Sequence, residues 1–353
     1  MASQFRPGST KPAARTTMGV VIVNFRGADD TIECLESLLR STIRLKVVVV
    51  ENGSGDGSAD RILAWAKGEY SPSAGSPGLA ALSTPAIRKP MPVNIIAPAE
   101  IGTGSIAALT LIVSPDNLGF AGGNNLGLRH LLTDPAVQYF WLLNNDAVVI
   151  PDCAEALANR MLAIPRVGMC GTVVRQYWQP DRLQALGGYS FSPITGMGRA
   201  LGGNELIYTP YNPQDIAEAT DFVLGASLAV SRPFLEQVGL MEETYFLYYE
   251  EMDWAMRNRR LGDEQMTTGF AHGAVVYHKA GASIGSPNAT QARSAFSDYW
   301  MARSRIRFTA RFFPLLLPLH IALTWAMAAR RLIRRRPDNA KALIRASLGL
   351  RMR

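Results

Sequence analysis

Cysteine is scarce: Cys34, Cys153 and Cys170 are the three in 353 residues. They are scattered and form no CxxC pair, which argues against a zinc site or a disulfide framework and fits a reducing compartment. No GxGxxG fingerprint and no Gly-Lys-Ser/Thr loop occurs, so a dinucleotide-binding turn and a P-loop are both excluded. Residues 1–17 are polar, with three basic residues and no apolar core of the kind a secretory signal needs. They are expected to be a disordered leader. Acid is almost missing from the other end. Residues 303–353 hold 13 Lys/Arg and a single acid, Asp338, a net charge of +12, which leaves 23 basic and 28 acidic residues for 1–302. A mildly acidic body with a strongly basic tail suggests an anionic partner surface. No base-reading motif accompanies the tail, so a membrane is expected rather than nucleic acid.

What is present is an alternation of strand-like and helix-like stretches. Val20–Val23 is a continuous apolar run ending in Asn24, as expected of a strand buried on both faces. Asp29 or Asp30 can cap a following helix, with Glu33 completing a capping box. Leu45–Val50 is a second strand, running into a tip from Glu51 to Ser58 that contains Gly53, Gly55 and Gly57. Ser58 or Asp60 opens a helix through Trp65. Leu109–Val113 is a third strand. It leads into residues 116–127, a run of four glycines and three asparagines that opens a helix ending near Leu132. Strand–helix alternation of this kind predicts a mostly parallel, doubly wound, Rossmann-like sheet with helices on both faces. Residues 70–104 break the pattern and are expected to be an inserted flexible loop. Residues 175–219 suggest a hairpin or loop region, and 222–230 a strand with a small-residue break.

Four stretches carry chemistry. Tyr139–Leu143 is an apolar strand ending abruptly in Asn144-Asn145-Asp146, and in open α/β sheets ligands bind beyond the carboxyl ends of strands. Asp146 is therefore expected to hold a divalent metal that in turn holds a nucleotide diphosphate. The competing possibility is an ordinary strand end with an Asn-Asn-Asp turn. The glycines of 116–127 allow close backbone approach to a phosphate, or they cap a helix. Glu250, Glu251 and Asp253 cluster at a helix start, where the dipole favours acids, or where one of them takes a proton from an acceptor hydroxyl. His278 ends a strand and is a metal-ligand candidate.

Together these stretches resemble the family 2 glycosyltransferases, in particular their bacterial rhamnosyltransferase-like branch. The matching blocks, in order, are 21–25, Glu51-Asn52-Gly53-Ser54 with Asp56-Gly57-Ser58, Asn117 to Asn124, Leu143-Asn144-Asn145-Asp146, Tyr249-Glu250-Glu251-Met252-Asp253, and His278 with Ser283. The resemblance implies a GT-A fold over residues 18–302 and inversion at the anomeric carbon by single displacement. It places the donor against Asn24, Glu51, Asn52, Ser54, Asp56, Asn117, Gly119, Phe120, Gly122, Gly123, Asn124, Asn144 and Asn145. It makes Asp146 and His278 ligands of Mn or Mg. Glu251 would be the base, Asp253 the alternative, and Glu250 would orient the acceptor. Glu51 stands where the family usually has Asp, and Asn144-Asn145-Asp146 stands for its DxD motif.

The implied reaction moves a sugar, L-rhamnose from dTDP-rhamnose by resemblance, to a hydroxyl of a saccharide or polyprenyl-linked acceptor in cell-surface polysaccharide synthesis. A catalytically silent nucleotide-sugar-binding protein and a nucleotidyltransferase are the alternatives. Residues 303–353 are expected to form a helical, membrane-associating extension. Phe312–Ala329 is 18 residues without charge, short of the ~20 that a spanning helix needs. The expected location is cytoplasmic, peripheral on the inner face of the membrane.

Overall fold

The computed structural model describes residues 17–72, 75–104, 106–280 and 293–352. The expected leader and Ser283 lie outside them, apart from Thr17, which opens the first strand. In chain order the elements are β1 (Thr17–Asn24), α1 (Ala28–Leu38), β2 (Leu45–Asn52), α2 (Ser58–Lys67), β3 (Asn94–Ile96), β4 (Leu109–Ser114), α3 (Gly119–Leu132), β5 (Val137–Leu143), β6 (Ala147–Val149) and α4 (Cys153–Ala163). They continue with β7 (Val167–Gln176), β8 (Leu183–Leu186), β9 (Gly188–Ser192), β10 (Met197–Ala200), α5 (Pro213–Ala219), β11 (Phe222–Val223), β12 (Ser227–Ser231), α6 (Arg232–Val238), α7 (Glu250–Arg259) and β13 (Thr267–His278). Three helices close the chain: α8 (Ala295–Phe312), α9 (Leu317–Ile333) and α10 (Pro337–Ser347).

The large sheet runs β3-β4-β2-β1-β5-β12-β7-β13-β6, with β8 paired to β7. From β3 to β5 every neighbour is parallel, β12 is antiparallel to both β5 and β7, and β13 is again parallel to β7. Strand alternation sends Val20, Ile22, Val47, Val49 and Trp141 to one face, where α1, α2 and α4 pack, as Leu35, Trp65 and Leu157 illustrate. It sends Val21, Val48, Val50 and Phe140 to the other, under α3, α6 and α7. This two-sided burial is why the strands read as continuous apolar runs. The expected mostly parallel sheet with helices on both faces is what the chain forms.

Local expectations differ in places. The N-cap of α1 is Gly27, without a side-chain cap, and Asp29 and Asp30 sit in its first turn. Glu33 closes no capping box; it accepts instead from the Tyr177 hydroxyl and Lys279, each at 2.6 Å. The segment 70–104 carries structure of its own: β3 extends the sheet beside β4, and the Met91 amide donates to the Ala66 carbonyl at 2.9 Å. Residues 222–230 are two strands in different sheets, β11 beside β9 and β12 inside the main sheet, with Gly225 at the break. The boundary expected at residue 302 falls in the middle of α8. That helix shares one core with Tyr245, Tyr249 and Met252 through Phe308, and another with α9 and α10 through Tyr299 and Ala302. All three cysteines are buried, and burial pushes the Cys170 thiol up to about 12. Burial of this kind disfavours the thiolate at Cys170.

Candidate functional site

Parallel pairing brings the carboxyl ends of β1, β2, β4 and β5 to one edge of the sheet. Asn24, Glu51, Asn52 and Asn144 stand there because of this register. β13 ends on the same edge, since β7 and β5 are each antiparallel to β12 and β13 is parallel to β7. The short strand β6 then turns back from Asp146, with Ala147 opposite His278. That pairing sets Asp146 beside His278, 132 residues away in sequence.

His278 Nε2 lies 3.1 Å from Asp146 Oδ1 and 3.1 Å from Asn144 Nδ2. Its Nδ1 is 2.9 Å from Gln184 Oε1 on β8. With Gln184 accepting from Nδ1–H, the Nε2 lone pair faces the Asn144 Nδ2 donor and the Asp146 carboxylate, so an imidazole nitrogen and a carboxylate oxygen stand side by side as two metal ligands would. Two ligands on adjacent octahedral vertices, each ~2.1 Å from an ion, sit about 3 Å apart, so the pair fits a divalent cation. Among the described residues no cluster of three or more His, Cys, Asp and Glu could hold a metal. The pair alone would leave most of the coordination shell to water or a ligand.

The acids of α7 are positioned by an unusual turn. Phe246, Tyr248 and Tyr249 all have positive φ, at 54°, 68° and 76°. Such conformations cost non-glycine residues of the order of 1–3 kcal/mol each and persist only when the surroundings impose them. Here the Phe120 amide donates to the Phe246 carbonyl at 2.8 Å, and Ser304 Oγ to the Tyr245 and Leu247 carbonyls. Tyr249 donates its hydroxyl to the Gly196 carbonyl. Gly119 must be glycine, because a Cβ there would lie 2.2 Å from the Phe246 carbonyl oxygen.

The turn delivers Glu250 into the interior and Glu251 to a half-buried position. Burial raises the carboxyl of Glu250 well above the usual range, and the neighbouring Glu251 charge raises it further. Burial also raises Glu251, against the backbone N–H of Gly225, which favours its charged form. The Glu251 carboxylate lies directly on Gly225: a Cβ there would come within 2.3 Å of Oε1. The small-residue break of the sequence thus makes room for Glu251. The next residue, Ala226, accepts from the Asn144 amide at 3.0 Å. One short turn therefore connects the acid of α7 to the Asn144–His278–Asp146 group.

Asp253 stands apart from this cleft. It is fully buried and accepts from Arg257 Nε at 2.7 Å, Arg311 Nη1 at 2.9 Å and the Tyr245 hydroxyl at 3.0 Å. Both oxygens are taken, so its position is that of a buried ion-pair hub joining α7 to α8, not of a base facing an acceptor.

Several residues expected at the donor serve the framework. Asn24 accepts from Thr31 Oγ1 at 2.8 Å and donates to Ser54 Oγ at 3.3 Å. Asn145 donates to Gly27 O at 3.3 Å and Thr31 Oγ1 at 3.2 Å, and Asn124 to Phe120 O at 2.9 Å. Glu51 accepts from the Ser54 amide at 2.9 Å. Asn52 clasps the glycine-rich stretch, accepting from the Leu118 amide and donating to Gly119 O and Asn117 Oδ1. That stretch is not a loop: α3 begins at Gly119. Gly123 and Gly127 lie one turn apart against Val23 and Val21, where a Cβ would come within 2.8 and 2.4 Å, so they let α3 pack closely on β1. Gly122 faces Leu118, the N-cap of the same helix. Asp56 is exposed and accepts from the Ser58 amide at 3.1 Å. Gln184 was not identified from the sequence and carries no local signal, because it acquires its role only from His278, far along the chain. Gly225 was visible as part of the small-residue break, but its partner Glu251 was not.

Residues 106–239 match the family described as Glycosyl transferase family 2. A curated relative, the low-salt glycan biosynthesis hexosyltransferase Agl10 of Haloferax volcanii, is 29% identical over 156 residues. These are 42% of this chain and 46% of the relative, so the match spans about half the length of that protein. Among solved structures, GalNAc-T7 with UDP, GalNAc and Mn2+ aligns at a TM-score of 0.51 and 12% identity, covering 83% of this chain and 48% of the other. The mannosyltransferase PcManGT from Pyrobaculum calidifontis, in complex with GDP-Man and Mn2+, aligns at a TM-score of 0.49 and 17% identity, covering 97% and 88%. The fold is of the GT-A type. The family match covers 134 of the 353 residues of this chain.

Proposed function

We propose that this protein is a metal-dependent, inverting glycosyltransferase that moves a sugar from a nucleotide-sugar to a hydroxyl of a saccharide or lipid-linked acceptor. The observation that carries the reading is the convergence of Asp146 and His278 at the carboxyl edge of the sheet, joined through Asn144 and Ala226 to the turn on which Glu251 rests. L-Rhamnose carried by dTDP is the proposed donor, on the sequence resemblance alone, and the proposed product belongs to a cell-surface polysaccharide.

In this reading Asp146 and His278 would hold Mn or Mg, which when bound offsets the charge of the departing diphosphate. The donor lies against the ends of β1, β2 and β5, with Asp56 and Asn117 at its rim. Glu251 takes the proton of the acceptor hydroxyl as its oxygen bonds the anomeric carbon, and the bond to the diphosphate oxygen breaks on the opposite side. Glu250, whose carboxyl burial raises, precedes it at the start of α7.

Asp146→Ala is expected to abolish metal-stimulated hydrolysis of the nucleotide-sugar, with a loss of about 10²–10³-fold or more. Hydrolysis unchanged in Asp146→Ala would refute the metal-site reading. A protein that binds the sugar nucleotide but never turns it over, with or without metal, would instead be a silent binder.

Gln184 is expected to act through His278. Gln184→Leu should weaken Mn2+ affinity by about 10–100-fold, the usual effect of removing a partner that orients a ligating histidine. Gln184→Glu keeps the acceptor and should retain affinity. Titration followed by Mn2+ electron paramagnetic resonance, without any substrate, reads both. Equal affinity in Gln184→Leu and the parent would show that Gln184 does not set the His278 tautomer.

A further inference from the structure

The helix α9 is built the wrong way round for a helix exposed to water. Its inward positions are His320, Thr324 and Ala328, spaced four apart and all buried. The first two are polar and fully engaged. His320 Nδ1 is 3.0 Å from Thr309 Oγ1, and its Nε2 is 2.9 Å from the Pro193 carbonyl. Thr324 donates to His320 O at 2.7 Å and accepts from Arg305 Nη2 at 2.7 Å. The outward positions are apolar. Leu319, Trp325 and Ile333 are 40%, 49% and 83% exposed, with alanines between them, and Leu315 just before the helix is 94% exposed. On a 100° helical wheel the outward residues occupy the arc opposite the buried ones, and no charge enters it before Arg330. In a water-soluble helix the polarity is reversed.

The apolar face does not stop at the helix. The β9–β10 hairpin, which receives the His320 bond at Pro193, exposes Ile194 at 63% and Met197 at 60%. Beyond the last turn of α9 come Arg334, Arg335 and Arg336. Among the described residues no carboxylate pairs with these three or with Arg330, whereas Arg331 is bound to the buried Asp298. The stretch Pro314–Ile333 is 20 residues with a mean hydropathy of 1.2, long and apolar enough by composition to cross a membrane, and 17% of it is buried. Its inward face, however, is hydrogen-bonded to α8 and to the β9–β10 hairpin, and α10 packs beside it through Ala340 and Leu343. A span would have to break those contacts.

We propose that the outer face of α9, with the tip of the β9–β10 hairpin, lies in the interfacial plane of an anionic lipid bilayer. The apolar arc enters the acyl boundary and the arginines at its end meet the headgroups. Charge selects this occupant. An apolar face ending in unpaired arginines complements a negatively charged lipid surface, whereas the same face of a second copy, α9 and the hairpin tip 193–197, holds no acid to meet them. The same helix set then links membrane to site, because α8 holds both α9 through Arg305 and the strained turn before Glu250 through Ser304.

The inference does not rest on the transferase reading, and its test is physical. The purified full chain is floated with vesicles of phosphatidylcholine alone or with 30% phosphatidylglycerol, at low and high salt. Binding is expected to the anionic vesicles and to weaken as salt rises. Leu319→Asp combined with Trp325→Asp, at exposed positions that should leave the far-ultraviolet circular dichroism unchanged, is expected to reduce vesicle binding at least tenfold. Arg334→Glu with Arg335→Glu should remove the preference for anionic lipid. Nucleotide-sugar hydrolysis in solution is expected to be the same in all of them. Vesicle binding that is absent in the parent, or equal in the parent and the Asp double variant, overturns the proposal. So does light scattering that shows a dimer in the parent and a monomer in the Asp variant without any lipid binding.

Discussion

Glu251→Gln is expected to lower kcat by about 10²–10⁴-fold, the span associated with loss of a general base, and to leave nucleotide-sugar affinity unchanged. The amide has the shape of the carboxylate and can still accept from the Gly225 N–H, so the turn 224–226 should keep its place. It cannot take a proton. The pH profile carries a second, independent readout. A base works only when ionised, so transfer should fall as pH drops through the raised pKa of Glu251. Burial places that limb above the ordinary carboxylate range, and the Gln variant should lack it. Glu250 supplies the contrast. Burial, and after it the adjacent Glu251 charge, raise its carboxyl and favour the protonated form, so Glu250→Gln, which resembles the protonated acid, should retain most of the activity. Equal turnover in Glu251→Gln and the parent would remove Glu251 from the reaction, and a larger loss in Glu250→Gln would exchange their roles.

Asp253→Asn is expected to destabilise the fold by about 3 kcal/mol, the lower end of the range for breaking a buried ion pair, because its two arginines keep some access to water. The cost arises on the partners' side. Arg257 and Arg311 stay where they are, at 19% and 37% side-chain exposure, and lose the carboxylate that neutralised them. The Tyr245 hydroxyl keeps an oxygen to donate to. The loss should appear as a lower urea midpoint with an unchanged slope. Below that midpoint the folded protein should retain turnover. The opposite outcome, full stability with activity gone, would make Asp253 the base and Glu251 a bystander.

These two carboxylates show what a sequence can and cannot say. Glu251 and Asp253 lie two residues apart in the same acidic cluster, and local pattern treats them alike. They differ because helical geometry sends Asp253 toward Arg257, one turn on, and toward Arg311 on a helix 58 residues later, while Glu251 turns to Gly225. The glycine-rich stretch 116–127 shows a second limit. Its composition suggested a phosphate cradle, yet Gly123 and Gly127 are where α3 presses on β1, and Gly119 is where the chain passes the Phe246 carbonyl. A glycine reports that something comes close; it does not report what.

The sequence by itself determined the layered α/β architecture, because strands buried on both faces must be apolar throughout and crossover helices must alternate with them. It also determined that Asn144, Asp146 and His278 would sit at strand ends, and that the tail would be basic and apolar in turn. Tertiary structure alone decided the rest. The β6–β13 register, with Ala147 opposite His278, set Asp146 against the imidazole and brought Gln184 to its far side. The break between β11 and β12 gave Glu251 its seat. And the composition of α9 could be counted in the chain, but only packing could show that its polar residues face the protein and its apolar ones face out. Sequence fixes the chemistry each residue carries; which partner it meets depends on contacts between residues far apart in the chain.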